Sequence, residues 1–246
     1  MKKLFLGAAI VALTAGAASA QSSGQTVRLG TEGGYPPYNF LDDNGEVAGF
    51  ERELGDELCA RAELTCEWVT NEWDSIIPNL VSGNYDAIIA GMSITDERDA
   101  VIDFTQPYTR PDPSAFAAMG DVALDEAVIA AQTGTIQAGH VASMPGATLV
   151  EFATPEETVA AVRNGEADAV IADKAFLVPI VENEGDLNFI GEDVLLGGGI
   201  GLGLRESDDS LQQQFDAAID SMKQDGSLNA LIEKWLPGSA KFDDAG

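Results

Sequence analysis

Short apolar runs alternate with helical patterns along most of the chain, and this alternation limits the folds that it can adopt. Runs of strand length occur at 85–90 and 167–172, while the segment 51–61 carries apolar residues at helical spacing. Alternating strands and helices are typical of βαβ units, in which helices cover a largely parallel sheet. The sequence therefore predicts an α/β protein.

Two segments interrupt this alternation. The run Arg-Pro-Asp-Pro at 110–113 and the run Gly-Gly-Gly at 197–199 cannot continue a helix or a strand, and α/β sequence lies on both sides of each. If the last part of the chain packs on the first, the chain crosses twice between two lobes, as in a clamshell that closes on a ligand. The predicted domains are lobe one over 25–110 and 200–246, lobe two over 113–197, and hinges near 109–113 and 197–200.

The first residues have the pattern of a secretory signal peptide. Lys2 and Lys3 precede an apolar run at 4–14, and Ala-Ser-Ala at 18–20 forms a small-residue cleavage site. The apolar run is too short to span a membrane. We therefore predict that residues 1–20 are removed and that the mature chain is a soluble, periplasmic protein.

The charge balance excludes some partners. The chain has 41 acidic and 13 basic residues, which gives a formal net charge of −28 at pH 7. Nucleic acid and anionic membrane surfaces are poor partners for such a chain. Two explanations stay open: solubility in a salty habitat, where charges are screened, and attraction of a cationic ligand by the long-range field.

The two cysteines, Cys59 and Cys66, predict a disulfide, because an even pair in an exported chain is normally oxidised. Closing so short a loop stabilises the fold by roughly 2–3 kcal/mol in the chain-entropy model. With His140 as the single histidine, the chain has too few ligands for a zinc site. We predict neither a metal site nor a cofactor.

A candidate anion site follows the predicted strand 85–90. Ser93 and Thr95 are candidate helix caps, and Arg98 lies in the first turn of the helix that they would begin. A strand that brings hydroxyl groups and an arginine to a helix N-terminus suits a carboxylate ligand. The alternative is a surface connection in which the arginine pairs with a neighbouring aspartate.

Several short motifs occur in a fixed order. They are Gly-Phe-Glu-Arg-Glu-Leu at 49–54, Asp-Ser-Ile-Ile-Pro-Asn-Leu at 74–80, Tyr-Asp-Ala-Ile at 85–88, Ser-Ile-Thr-Asp-Glu-Arg at 93–98 and Phe-Thr-Gln-Pro-Tyr at 104–108. Together they resemble the bacterial extracellular solute-binding proteins of ABC importers, polar amino acid group, over essentially the whole mature chain. The cysteine pair resembles that of the lysine/arginine/ornithine- and histidine-binding members. The resemblance implies a two-lobed, type II clamshell with two hinge crossovers.

The resemblance also implies how the charged ends of an amino acid are bound. Arg98 matches the arginine that forms a two-pronged salt bridge with the α-carboxylate, a geometry that suits guanidinium better than ammonium. Ser93, the backbone N–H of Ile136 and the hydroxyl of Thr135 are expected to support the same carboxylate. Asp173 matches the acid that receives the α-ammonium; as a structural alternative, it caps the following helix.

Further residues are expected to contact the ligand side chain. Tyr35 and Trp73 match the aromatic residues that sandwich it, and Glu32 matches an acid near the far end of a basic side chain. The structural alternatives are core packing for the two aromatic residues and a solvated loop position for the acid. Three further residues complete the predicted set. Gly91 is expected to contact the ligand through its backbone, Met92 is its neighbour, and Gln137 is a polar residue expected at the rim.

These residues predict a monomeric binding protein that captures a free amino acid and delivers it to an inner-membrane ABC permease. The side chain is expected to be basic or bulky and polar: arginine, ornithine, lysine, histidine or an opine-like derivative. One alternative is a glutamate- or glutamine-type binder. Another is an enzyme on the same scaffold, similar to cyclohexadienyl dehydratase, with Glu32 as its general acid. Because Arg98 and Asp173 are both present, the sequence favours binding over catalysis.

Overall fold

The structure, a computed structural model, describes residues 26–242, so the predicted signal peptide at 1–20 lies outside it. The helices in the described part are α1 (Phe50–Arg61), α2 (Ile76–Val81), α3 (Asp96–Asp99), α4 (Ile136–Ser143), α5 (Pro155–Asn164), α6 (Lys174–Glu184), α7 (Asp209–Gln224) and α8 (Ser227–Trp235). The strands are β1 (Thr26–Thr31), β2 (Gly34–Tyr35), β3 (Asn39–Leu41), β4 (Val47–Ala48), β5 (Thr65–Thr70), β6 (Ala87–Ile88), β7 (Asp103–Phe104), β8 (Pro113–Ala118), β9 (Val128–Gln132), β10 (Thr148–Phe152), β11 (Ala169–Asp173), β12 (Asn188–Leu195) and β13 (Gly203–Leu204). None of these helices has both the length and the apolar character needed to cross a membrane.

Two mixed sheets organise the described residues, which confirms the predicted α/β class. The first sheet has the strand order β5-β1-β6-β13-β7, and the second has the order β10-β9-β11-β8-β12. In each sheet three neighbouring strands are parallel and the next strand is antiparallel. We call the part built on the first sheet lobe one and the part built on the second sheet lobe two. Strands β2, β3 and β4 form a small additional sheet in lobe one.

The chain passes between the two sheets twice. It leaves the first sheet after β7 and returns to it at β13. The two passing segments lie side by side, because Thr109 and Ile200 form an antiparallel bridge and the N–H of Tyr108 donates to the Ile200 carbonyl at 2.8 Å. The limits of the lobes, with hinges near 109–113 and 197–200, stay a prediction.

Local signals account for the longer helices. Helix α1 buries Phe50, Leu54 and Leu58 on one face, as their four-residue spacing predicts. Helix α5 begins with a capping box, in which the Thr154 hydroxyl accepts from the Glu157 N–H at 3.2 Å while the Glu157 carboxylate accepts from the Thr154 N–H at 3.1 Å. Such contacts lie within one helical turn, so the sequence alone predicts them.

One strand next to the inter-lobe space is shorter than predicted, and the helix that follows it is a single turn. The strand expected over 85–90 is reduced to β6, and Gly91 follows with a φ of 62° that no extended strand allows. The helix expected after Thr95 is the single turn α3 (Asp96–Asp99).

The predicted disulfide is confirmed. Cys59 near the end of α1 is bonded to Cys66 in β5, with Cα atoms 6.2 Å apart. The bond fastens a helix of lobe one to the strand that follows it, and it lies outside the set of residues that line the space between the lobes.

Candidate functional site

A cleft lies between the lobes and contains nearly all the predicted site residues. Its walls are formed by Glu32, Tyr35, Trp73, Ala90, Gly91, Ser93 and Arg98 from lobe one, and by Gln132, Thr135, Ile136, Gln137 and Asp173 from lobe two. Met92, the remaining predicted residue, is fully buried in the core of lobe one and does not line the cleft.

The sheets place these residues at strand ends. Glu32 and Trp73 follow β1 and β5, and Gly91 comes shortly after β6; these three strands are parallel, so their carboxyl ends share one edge. In lobe two, Gln132 and Asp173 end the parallel strands β9 and β11. Crevices outside the carboxyl ends of parallel strands are the usual ligand sites of open α/β sheets.

Arg98 provides a positive charge in the cleft without a carboxylate partner. The hydroxyl of Thr95 caps α3 by accepting from the Arg98 N–H at 3.2 Å. The guanidinium donates through Nη1 to the Ser93 carbonyl at 2.8 Å and through Nη2 to the Gly134 carbonyl of lobe two at 3.2 Å. Within residues 26–242 it forms no ion pair, so the alternative of pairing with a neighbouring aspartate is not observed. Burial lowers the pKa of Arg98 to about 10, which leaves it protonated at neutral pH.

Trp73 lies against this guanidinium. The Arg98 Cζ atom is 5.3 Å from the centroid of the Trp73 ring, within the range of a cation–π contact. The ring is largely buried, with 9% of the residue exposed. In this structure the indole therefore supports the arginine, a contact that the sequence did not predict.

Asp173 provides a partly buried negative charge on the opposite lobe. It occupies the N-cap position of α6, but its side chain makes no capping hydrogen bond. Instead Oδ2 accepts from the Tyr35 hydroxyl at 2.8 Å and Oδ1 accepts from Gln137 Nε2 at 3.0 Å. Burial raises the pKa of Asp173 to about 6, although the bond from Tyr35 opposes this rise. The alternative role as a helix cap is thus not observed.

Tyr35 joins the two lobes. Its ring is stacked on Tyr38 at a centroid distance of 5.6 Å and on Phe176 of lobe two at 4.6 Å. Its hydroxyl donates to the Asp173 carboxylate and accepts from the Asp173 N–H at 3.1 Å. Burial raises the pKa of this hydroxyl well above its ordinary value. Tyr35 is therefore held by lobe two as well as by its own lobe.

Glu32 makes a further contact across the cleft. Its Oε1 accepts from Gln132 Nε2 at 2.6 Å, and the same nitrogen donates to the Ala153 carbonyl at 3.1 Å. Burial raises the pKa of Glu32 to about 7, an effect that the bond from Gln132 only partly offsets. The alternative of a solvated loop acid is inconsistent with this position, and the carboxyl can change its protonation state near neutral pH.

The family is decided by comparison with known proteins. Residues 27–238 match the model of the bacterial extracellular solute-binding proteins, family 3. The chain belongs to this family. The match covers nearly the whole described part, including both lobes, so the family predicted from the motifs is confirmed.

Individual relatives of this solute-binding protein agree in fold. A periplasmic His/Glu/Gln/Arg/opine family-binding protein from Silicibacter pomeroyi, solved in complex with lysine, is 68% identical, with a TM-score of 0.86 over 88% of this chain and 100% of that one. The lysine/arginine/ornithine-binding periplasmic protein of Escherichia coli (strain K12) is 30% identical over 96% of this chain and 97% of its own length. The predicted two-lobed fold class is confirmed by these similarities.

One structural neighbour bears on the enzyme alternative. An ancestral amino acid-binding protein described as a precursor of cyclohexadienyl dehydratase is 29% identical, with a TM-score of 0.76 over 85% of this chain and 95% of that one. The other relatives named above are binding proteins.

Sequence reasoning missed some cleft residues of this solute-binding protein. Gln132 is a polar residue at the carboxyl end of a buried strand, and that position was a usable signal. Ala90, which also lines the cleft, had no such signal, because an apolar residue at the end of a predicted buried strand is normally core. Thr135 caps α4 by accepting from the Ala138 N–H at 3.2 Å, and its hydroxyl donates to the Gln132 carbonyl at 2.7 Å. The proton of the Thr135 hydroxyl is therefore already donated within the protein.

Proposed function

We propose that this chain is the periplasmic binding protein of an ABC importer and that it binds a free basic amino acid, such as lysine or arginine, between its lobes. One observation carries the proposal: the cleft sets the guanidinium of Arg98, which forms no ion pair within residues 26–242, on lobe one opposite the partly buried carboxylate of Asp173 on lobe two. An amino acid zwitterion has the complementary charges in one small molecule. The 68% identical protein solved with lysine supports the same ligand class.

Arg98 has the donors that an α-carboxylate requires. A guanidinium has five N–H donors, and the carbonyls of Ser93 and Gly134 use two of them. The remaining donors suffice for a two-pronged bond, which lysine cannot form. We propose that the hydroxyl of Ser93 and the backbone N–H of Ile136 assist.

Asp173 has the acceptors that an α-ammonium requires. A carboxylate offers about four lone-pair positions, and Tyr35 and Gln137 occupy two. An arriving ammonium would favour the ionised form and lower the pKa of Asp173 from about 6. We propose that the Gly91 carbonyl provides a second contact to the ammonium.

Glu32 accounts for the preference for a basic side chain. Its carboxylate lies in the same cleft and forms no ion pair within residues 26–242, while burial holds its pKa at about 7. A cationic group beside it would restore the ionised form and gain a charge-assisted bond. Gln132 and Gln137 add polar groups inside the cleft, where both are buried, so the rim position predicted for Gln137 is wrong.

We expect the lobes to close on the ligand, because Arg98 and Asp173 lie on opposite lobes. A ligand can satisfy Arg98 and Asp173 together only when the lobes approach, so its binding supplies free energy for closure. We propose that the lobes, 25–110 with 200–246 and 113–197, move as units about 109–113 and 197–200. The paired backbone at Thr109 and Ile200 supports this, because it joins the two passing segments.

Isothermal titration calorimetry with lysine, arginine, ornithine, histidine, glutamine and glutamate tests the proposal. We expect binding of at least one basic amino acid, more tightly than glutamine or glutamate. Tight binding of glutamate without any basic ligand would contradict the side-chain class, and turnover of a prephenate-like substrate would favour the enzyme alternative instead.

Size-exclusion chromatography of the exported protein and sequencing of its N-terminus test the predicted monomer and the predicted cleavage after residue 20.

A further inference from the structure

Glu51 in α1 is a carboxylate buried in lobe one outside the cleft lining. It has no exposed surface, and it forms no ion pair in the part of the chain that the structure describes. Its Oε1 accepts from the Gly91 N–H at 2.6 Å and from the Tyr108 hydroxyl, and its Oε2 accepts from Asn39 Nδ2 at 2.7 Å. Burial raises the pKa of Glu51, and these three bonds oppose the rise. Buried polar groups persist only where such partners exist.

Each partner of this carboxylate belongs to a segment that forms the cleft or the crossing. Gly91 lines the cleft beside Tyr35, whose ring is 3.5 Å from where a Gly91 side chain would begin. The amide of Asn39 also accepts, through Oδ1, from the Gly33 N–H at 2.7 Å, next to Glu32. Tyr108 precedes the first crossing and donates its N–H to the Ile200 carbonyl of the second.

We infer that Glu51 is a positioning residue for ligand binding, which holds the Gly33 and Gly91 segments of the cleft in register with the crossing at Tyr108. This inference rests on the proposed function. Glu51 acts without touching the ligand, by fixing the backbone on which Glu32 and Ser93 are placed.

A neutral amide cannot replace this carboxylate. All three partners present donors, so both oxygens must accept. In Glu51→Gln, an NH₂ group takes the place of one carboxylate oxygen. In one orientation it faces the donors of Gly91 and Tyr108, and in the other it faces the donor of Asn39. Turning the Asn39 amide around does not help, because its NH₂ would then face the Gly33 N–H. One buried donor is left unsatisfied in every arrangement.

The matched pair of substitutions Glu51→Gln and Asn39→Asp tests this. In the double variant E51Q/N39D the new carboxylate accepts from both the new amide and the Gly33 N–H, while the amide oxygen still accepts from Gly91 and Tyr108. We expect E51Q to weaken lysine binding about tenfold or more in calorimetry. We expect the double variant to return to within about threefold of the wild type.

Two controls separate positioning from charge and from stability. Glu53→Gln removes one charge from the same helix at an exposed pair with Lys234, and it should leave lysine affinity unchanged. Asp86→Asn weakens the fold away from the cleft and should also leave it unchanged. Equal lysine affinity in E51Q and wild type overturns the inference, as does a folded double variant that stays as weak as E51Q. If E51Q alone does not fold, the double variant carries the test.

Hydrogen exchange at the Gly91 and Gly33 amides gives a readout without ligand. We expect at least one of these amides to exchange faster in E51Q and to be protected again in E51Q/N39D. Unchanged exchange at both overturns the positioning role. If the wild type binds no amino acid, the proposed function fails, and the exchange measurement still decides whether Glu51 holds these segments.

Discussion

Arginine occurs in two contrasting settings in this protein. At the base of lobe one, Arg28 and Arg205 both donate to the carboxylate of Asp86, at 2.9 and 3.1 Å. In the cleft, Arg98 bonds to carbonyl groups and has no carboxylate partner within the described residues. In the first setting both guanidinium groups are hydrogen-bonded to a carboxylate of the protein. In the second, the guanidinium of Arg98 is hydrogen-bonded to no carboxylate within the described residues.

The pKa values of the charged groups differ between the two settings in the same way. Burial alone raises the pKa of Asp86, but the bonds from its two arginines outweigh that effect and lower it to about 2. In the cleft, burial dominates and shifts Arg98, Asp173 and Glu32 toward their neutral forms. Groups shifted by burial without a full set of partners are typical of functional sites, while satisfied ion clusters stabilise the fold.

Arg98→Lys should have the largest effect. Loss of the two-pronged bond should weaken binding of every amino acid by about 1.5–3 kcal/mol, or roughly 10- to 150-fold, with little loss of stability. Arg28→Lys is the matched control and should leave binding unchanged. Calorimetry with the amino acid panel measures both. Retention of affinity within about threefold in R98K would remove Arg98 from the site.

Asp86→Asn should show the opposite pattern. We expect it to lower the free energy of unfolding by about 1–2 kcal/mol, a modest value because the Arg28 side chain is 38% exposed, and to leave lysine affinity unchanged. The pKa of Asp86 is lowered on folding, so the wild-type contribution is present above about pH 4 and is lost as the pH falls toward 2. Urea unfolding at neutral and acidic pH measures this. A loss of affinity in D86N would mean that the two settings are coupled.

Glu32→Gln should change selectivity and pH dependence. At pH 8 we expect lysine binding to weaken about tenfold, while glutamine binding changes less. Wild-type lysine affinity should increase as the pH rises through about 7, because a cationic ligand binds the ionised carboxylate better than the protonated one. This increase should largely disappear in E32Q. Parallel losses for lysine and glutamine would show that Glu32 does not read the side chain.

Trp73→Phe should have the smallest effect. A phenyl ring gives a weaker cation–π contact than an indole, so we expect all ligands to bind about two- to threefold more weakly, with their ranking kept. The ranking is the informative result. If it changes, Trp73 reads the ligand side chain, as the sequence predicts, and does not act mainly through Arg98.

Much of the fold was predictable because its signals are local. The face of α1, the capping box at Thr154 and the cap at Thr95 depend on residues within one helical turn. The disulfide depends on two cysteines seven residues apart. The short length of β6 was not predictable, because it depends on pairing with β1 and β13, which lie far away in the sequence.

The composition of the candidate site was also largely predictable, whereas its internal bonding was not. Family motifs pointed to the residue types that line the cleft, and their roles stay predictions until binding is measured. The bonds of Glu32 to Gln132 and of Tyr35 to Asp173 join residues 100 and 138 positions apart. No local pattern predicts such a pair, since its distance depends on the docking of two lobes.

The class of fold, the family and the residue types available for binding an amino acid follow from the sequence alone. Which of the charged groups remain without a partner depends on how the two lobes pack. Arg28 and Arg98 are chemically identical. They differ in whether folding brings a carboxylate within hydrogen-bond distance of the guanidinium. Glu51 illustrates the same dependence on tertiary structure, because its buried carboxylate accepts from Asn39, Gly91 and Tyr108, which lie on other segments of the chain.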